Sequence, residues 1–95
     1  MYTRIDKIYG FERKILRIKT EIKILKLVIQ RREKKIESLI GGQEEIETLL
    51  YANEITKLRI QTHEGSIKSY EGQIKMIKKS IEDNPGKFIF EKEEK

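Results

Sequence analysis

Isoleucine recurs at seven-residue intervals in two runs. The first is Ile8, Ile15, Ile22, Ile29 and Ile36, and the second is Ile46, Asn53, Ile60, Ile67, Ile74 and Ile81, with Asn53 replacing one isoleucine. Two turns of α-helix nearly close at seven residues, so this period lays one apolar stripe along a helix and winds it against another. With Ile8 at heptad position a, the d positions are Phe11, Ile18, Leu25, Arg32 and Leu39. The step from Ile36 to Ile46 breaks the period, and Gly41 and Gly42 fall inside it. Carrying the first frame onward would bury Lys57, Glu64, Glu71 and Lys78, a costly row of charges. Restarting with Ile46 at a gives d positions Leu49, Thr56, His63, Tyr70 and Ile77. Glycines terminate helices, so both signals predict one all-α fold. It is an antiparallel coiled-coil helical hairpin with a helix over 3–40, a turn over 41–44 and a helix over 44–83.

The register follows from pairing each a residue with a d residue of the other arm. Positions summing to about 85 satisfy this rule in every layer. Leu39 then meets Ile46, Ile36 meets Leu49, Ile29 meets Thr56, and Leu25 meets Ile60. Ile22 meets His63, Ile18 meets Ile67, Ile15 meets Tyr70, Phe11 meets Ile74 and Ile8 meets Ile77. Arg32 and Asn53 share one layer, and a lone polar layer sets register at some cost in stability. Flanking charges contribute little: Lys19 faces Glu64, but Lys26 faces Lys57 and Glu12 faces Glu71.

The ends carry their own signals. Thr3-Arg4-Ile5-Asp6 reads as a helix cap, with the Thr hydroxyl satisfying a free backbone N–H. Gly10, a poor helix former, marks a candidate bend. Asn84-Pro85-Gly86 stops the second helix, leaving residues 1–83 as one domain and 84–95 as a tail. Within the tail, Lys87-Phe88-Ile89-Phe90-Glu91 alternates as a strand does. Phe88 and Phe90 are candidate anchors, packing on the helices or adding a strand to a partner's sheet, and the last five residues are expected to fray.

A two-helix coil needs one apolar stripe per arm, and the second arm has two. Tyr51, Ile55, Leu58, Thr62, Gly65, Ser69, Gly72 and Met76 follow one another at alternating steps of four and three, opposite the hairpin seam. Gly65 and Gly72 would let another helix approach closely. Level with Tyr51 and Leu58, the first arm is apolar nearly all round, through Ile24, Leu27 and Val28. A helix apolar on two faces is covered on both. Leu27, Val28, Tyr51, Ile55, Leu58, Gly65, Gly72 and Met76 therefore form the expected association face. The expected product is a homo-oligomer, a four-helix or larger bundle with a dimer of hairpins favoured, or a complex with another protein.

Composition narrows the function. The chain has no Cys, which removes disulfides, thiolate catalysis and Cys-based metal sites. No apolar run approaches the roughly 18 residues that span a bilayer, and the first residues lack the apolar core of a signal peptide. A cytoplasmic protein with no membrane partner is expected. The net charge is +5, unevenly placed. Residues 1–40 carry twelve Lys/Arg against five Asp/Glu, and residues 43–83 carry six against eight. Arms of opposite sign favour folding back on each other. Ile/Lys-rich usage and small size suit a phage or mobile-element accessory protein.

Chemistry-bearing clusters are sparse. The single His, His63, is a seam residue with no second His to join it around a metal. Glu44, Glu45 and Glu47 occupy the first turn of the second helix, where carboxylates favour the positive end of the dipole. Gly41-Gly42 lacks the Lys-Ser/Thr of a phosphate loop. No catalytic residue, metal or cofactor is assigned and no enzyme is expected. The first reading is a non-enzymatic interaction protein that self-associates and binds or inhibits another protein. The alternative is a nucleic-acid binder acting through Arg13, Arg17, Arg31, Lys34 and Lys35 on the outer face of the first arm. No motif assigns a family. In architecture alone the hairpin resembles small dimeric helical-hairpin regulators that bind paired RNA loops.

Overall fold

The computed structural model describes residues 3–84. Two helices, α1 (Arg4–Ser38) and α2 (Gln43–Asp83), fold as an antiparallel hairpin, and there is no strand among the described residues. The tail with Phe88 and Phe90 lies outside the described residues.

Thr3 begins α1 by a reciprocal cap. Its backbone N–H donates to Asp6 Oδ2 at 3.0 Å, and the Asp6 N–H donates to Thr3 Oγ1 at 3.1 Å. The Lys7 N–H then donates to the Thr3 carbonyl at 3.1 Å, the first bond of the helix. Asp6 also sits in the first turn, where its charge suits the dipole. At Gly10, the candidate bend, α1 runs through without a break in the helix.

The hairpin turn differs from the sequence expectation by two residues. Helix α1 stops at Ser38, not at residue 40, and Ile40 is 98% exposed. Gly41 has φ +74°, a left-handed conformation that costs a residue with a Cβ about 1–2 kcal/mol. The chain leaves the helix ahead of that step. The Leu39 N–H reaches back only three residues, to the Ile36 carbonyl at 3.1 Å, and the Ser38 hydroxyl donates to the Lys35 carbonyl at 2.7 Å. Such short-range bonds occupy carbonyls that a helix end leaves open. Gly42 then acts as the N-cap of α2, its carbonyl accepting from the Ile46 N–H at 2.9 Å.

The chain divides into two compact units, Ile18–Gly65 and the pair Met1–Arg17 with Ser66–Lys95. In the first, Ile22, Ile29 and Ile60 are buried together with Asn53 and Thr56. In the second, Ile8, Ile15, Ile67 and Ile74 are buried. Every buried isoleucine is an a position of its arm, whereas the d positions Phe11, Ile18, Leu25, Tyr70 and Ile77 are half-buried. Among the described residues no side chain is fully enclosed. Two helices meet along a single seam, so each layer stays open at its flanks.

Candidate interaction surfaces

The Ile18–Gly65 unit holds a polar layer inside its seam. Asn53 is 4% exposed and Thr56 is buried, while Arg32 of α1 is half-buried beside them. Arg32 Nη1 donates to Thr56 Oγ1 at 2.8 Å and lies 3.5 Å from Asn53 Oδ1. The Thr56 hydroxyl donates in turn to the Ala52 carbonyl at 2.9 Å. Thr56 is therefore part of this network, a role the sequence pattern concealed by setting it opposite Ile29. Its place one turn beyond Asn53 was the available signal.

His63 is half-buried, at the seam position expected for it. Its Nε2 is buried with no hydrogen-bond partner, and Glu21 Oε1 stands 3.7 Å away. That distance admits electrostatic attraction but exceeds hydrogen-bond reach. Near the turn, Lys35 Nζ pairs with Glu45 Oε1 at 3.3 Å, both more than half exposed. Such a pair contributes about 0–1 kcal/mol.

The outer faces of this unit are apolar on both sides. Tyr51 is 70% exposed and Leu58 61%, and Ile55 and Leu50 are exposed beside them on α2. On α1, Leu27 and Ile24 are exposed. Tyr51, Ile55 and Leu58 occupy heptad positions c and f, as do Ile24 and Leu27, and these positions point away from the partner helix. Val28 sits closer to the seam and is half-buried, so it offers less surface than Leu27. Gly65 is exposed, and a Cβ there would meet no atom within 4 Å. Leu50 extends the surface beyond the residues singled out from the sequence, and Ile24, noted there on the apolar first arm, joins Leu27 in it. Leu50 was missed because its e position reads as a seam flank.

The other unit pairs the first turns of α1 with the last turns of α2. Phe11 stacks on Tyr70 with ring centroids 5.5 Å apart at 30°. This diagonal contact lies one turn from Ile74, the residue placed opposite Phe11 by the register. Lys14 Nζ rests 5.9 Å from the Phe11 ring and 5.6 Å from that of Tyr70, where an ammonium is drawn to the π faces. Arg4 Nη1 donates to Ser80 Oγ at 2.6 Å. On this unit Met76 is 73% exposed and Gly72 is also exposed, with nothing within 4 Å of a Cβ built there. An open groove of about 440 Å³ runs between Arg4, Lys7 and Phe11 on α1 and Gln73, Met76, Ile77 and Ser80 on α2.

The basic residues singled out from the sequence are all exposed. Arg13 and Arg17 lie on one unit, and Arg31, Lys34 and Lys35 on the other. Among the described residues, no group of three or more His, Asp or Glu could hold a metal ion, and no helix is long and apolar enough to cross a membrane. These surfaces and the two-helix hairpin define the chain as an all-α protein with apolar and basic outer faces. Compared with protein-family models, with curated proteins and with solved structures, it matches none.

Proposed function

We propose that this protein is a non-enzymatic interaction protein: a hairpin that self-associates through its outer apolar faces and binds or inhibits another protein. The observation that carries the proposal is the group Tyr51, Ile55 and Leu58, exposed on the outward face of α2, with Leu27 exposed on α1 of the same unit. Burying one Leu- or Ile-sized side chain contributes about 1.5–3 kcal/mol. Association costs roughly 4–15 kcal/mol in lost freedom. Several such side chains from each copy would offset that cost and place assembly at roughly micromolar concentration. The thin core supports the same reading, since a second hairpin would close the open flanks of each layer. A two-fold dimer formed through α2 would leave Ile24 and Leu27 for a further partner, the protein target of the complex.

Sedimentation at tens of micromolar, roughly where a weak interface still assembles, tests the proposal. Wild-type chain is expected to sediment as a dimer or larger. Ile55→Glu with Leu58→Glu should give monomers of unchanged helical content, because neither residue faces the seam. A wild-type chain that stays monomeric there would remove the association model. Gly65→Ala offers a second check, since Ala raises helix stability by about 1 kcal/mol over Gly. If a second helix crosses closely at Gly65, the added methyl weakens association while the hairpin itself melts higher.

A second reading has its own support. Arg31 and Lys34 are exposed and make no ion pair among the described residues. With Lys35 they form a cationic surface able to neutralise phosphates, which Arg13 and Arg17 supply separately on the other unit. Nucleic-acid binding of this kind weakens steeply with salt. Arg31→Ala with Lys34→Ala should reduce the slope of log K against log salt by about 2 on duplex DNA. An unchanged slope would count against phosphate contact by these residues.

A further inference from the structure

We infer that the groove between the first turns of α1 and the last turns of α2 is the docking site for the chain's own C-terminal segment, with Phe88 and Phe90 entering it. The groove has an apolar floor of Phe11, Met76 and Ile77 and a cationic rim of Arg4 and Lys7. Its volume of about 440 Å³ is in the range of pockets that hold bulky apolar groups, about 300–1,000 Å³. Met76 is among the most exposed large apolar side chains of the hairpin, so a cover for it removes apolar surface from water.

The segment beyond α2 has the matching chemistry in the matching order. Asn84-Pro85-Gly86-Lys87 carries Pro and Gly at the two central positions of a type II turn, a sequence that reverses the chain. Phe88 and Phe90 stand two apart, so in an extended segment both fall on one face, with Ile89 on the other. Glu91, Glu93 and Glu94 follow, balanced by Lys87, Lys92 and Lys95, so the apolar pair and not net charge would hold the segment. Length is sufficient. The groove runs back from Ser80 to Gln73 along α2, roughly 10 Å at 1.5 Å per residue. Once residues 84–87 form the turn, the extended stretch from Lys87 to Phe90 spans about 10 Å, enough to bring Phe90 back from the end of α2 to the level of Ile77. The tail is attached beside the groove, so its effective concentration exceeds that of any segment arriving from solution. This docking does not depend on the self-association proposed above.

The test uses the full-length chain and its methionine methyls, of which only Met1 and Met76 contribute. Phe rings packed on Met76 displace its methyl resonance by their ring currents. Phe88→Ala with Phe90→Ala should shift the Met76 resonance, and Ile89→Ala should shift it much less. Lys7→Glu, a change of rim charge alone, should likewise shift it much less. All four positions lie outside the heptad seam, and circular dichroism would confirm equal helix content. A Met76 resonance unmoved by the double-alanine change overturns the proposal. A wild-type shift that holds over a hundredfold dilution, and in the Ile55→Glu/Leu58→Glu background, supports docking within one chain. A shift that fades on dilution overturns it in favour of a tail supplied by another copy.

Discussion

The Thr56 hydroxyl serves two partners, accepting from Arg32 and donating to the Ala52 carbonyl. Removing it leaves the Arg32 guanidinium with the longer contact to Asn53 at 3.5 Å. An unsatisfied buried donor costs about 1–3 kcal/mol, so Thr56→Val should lower stability within that range in thermal or urea unfolding. Replacing the whole layer, by Arg32→Leu, Asn53→Ile and Thr56→Val, should instead raise the melting temperature, because paired polar groups contribute less than packed apolar ones of similar size. The same triple variant should lose unique register. Disulfide trapping between cysteines introduced at Leu25 and Ile60, then at positions one heptad away, measures this directly in a chain that has no Cys of its own. A single trapped register in the triple variant would show that the apolar layers alone set the alignment. His63 follows the same logic with the opposite sign. Its Nε2 is buried without a hydrogen-bond partner, so His63→Leu should stabilise the hairpin by roughly 1 kcal/mol. A lower melting temperature would mean that the attraction to Glu21 outweighs the burial cost.

At the scale of the element, helix ends and interior glycines decide boundaries and stability. Gly10 lies within α1, and a Cβ there would meet no atom within 4 Å. Gly10→Ala should therefore stabilise the protein by about 0.5–1 kcal/mol through helix propensity and a less free unfolded chain. Loss of stability would mean that α1 needs a bend in solution. Gly41 behaves differently because φ is +74° there. Gly41→Ala should cost about 1–2 kcal/mol, whereas Gly41→Asn, which tolerates the left-handed region, should cost less. Equal losses for the two, measured by urea unfolding, would exclude backbone conformation as the cause. The seven-residue period and the glycine pair together made both helices legible, because burial of a stripe and the need for a reversal leave few alternatives. The exact end of α1 was not legible: the helix stops at Ser38, two residues before the expected end. Leu39 fits the heptad and reads as helical, yet the chain leaves the helix from Leu39 onward, ahead of the left-handed step at Gly41, and no periodic pattern records that step.

For the molecule as a whole, the outer faces are where large apolar side chains remain exposed. The hairpin's seam buries isoleucines of both arms within one chain, while Tyr51, Leu58, Leu27 and Met76 remain exposed. Apolar surface of this kind is a driving force without a direction, and partners are selected by whichever complementary surface covers it. If self-association dominates, the Ile55→Glu/Leu58→Glu chain should keep its melting curve at low concentration and lose the concentration dependence seen in wild type. A wild-type melting temperature that does not rise with concentration would argue that these side chains await a different protein.

The sequence by itself determined the helical hairpin, the place of its reversal and the identity of the buried isoleucines, because heptad spacing and glycine act locally and leave their mark along the chain. It also carried the outward stripe on α2, whose exposure follows from positions c and f. Only the folded chain decided the rest. It brought Thr56 rather than Asn53 closest to Arg32, and it stacked Phe11 on Tyr70. It also opened a groove between Arg4 and Met76. Each of these depends on how side chains from two distant stretches interlock across the seam, and rotamer choice at such a contact is set by the partner helix, not by the residue's own neighbours in sequence.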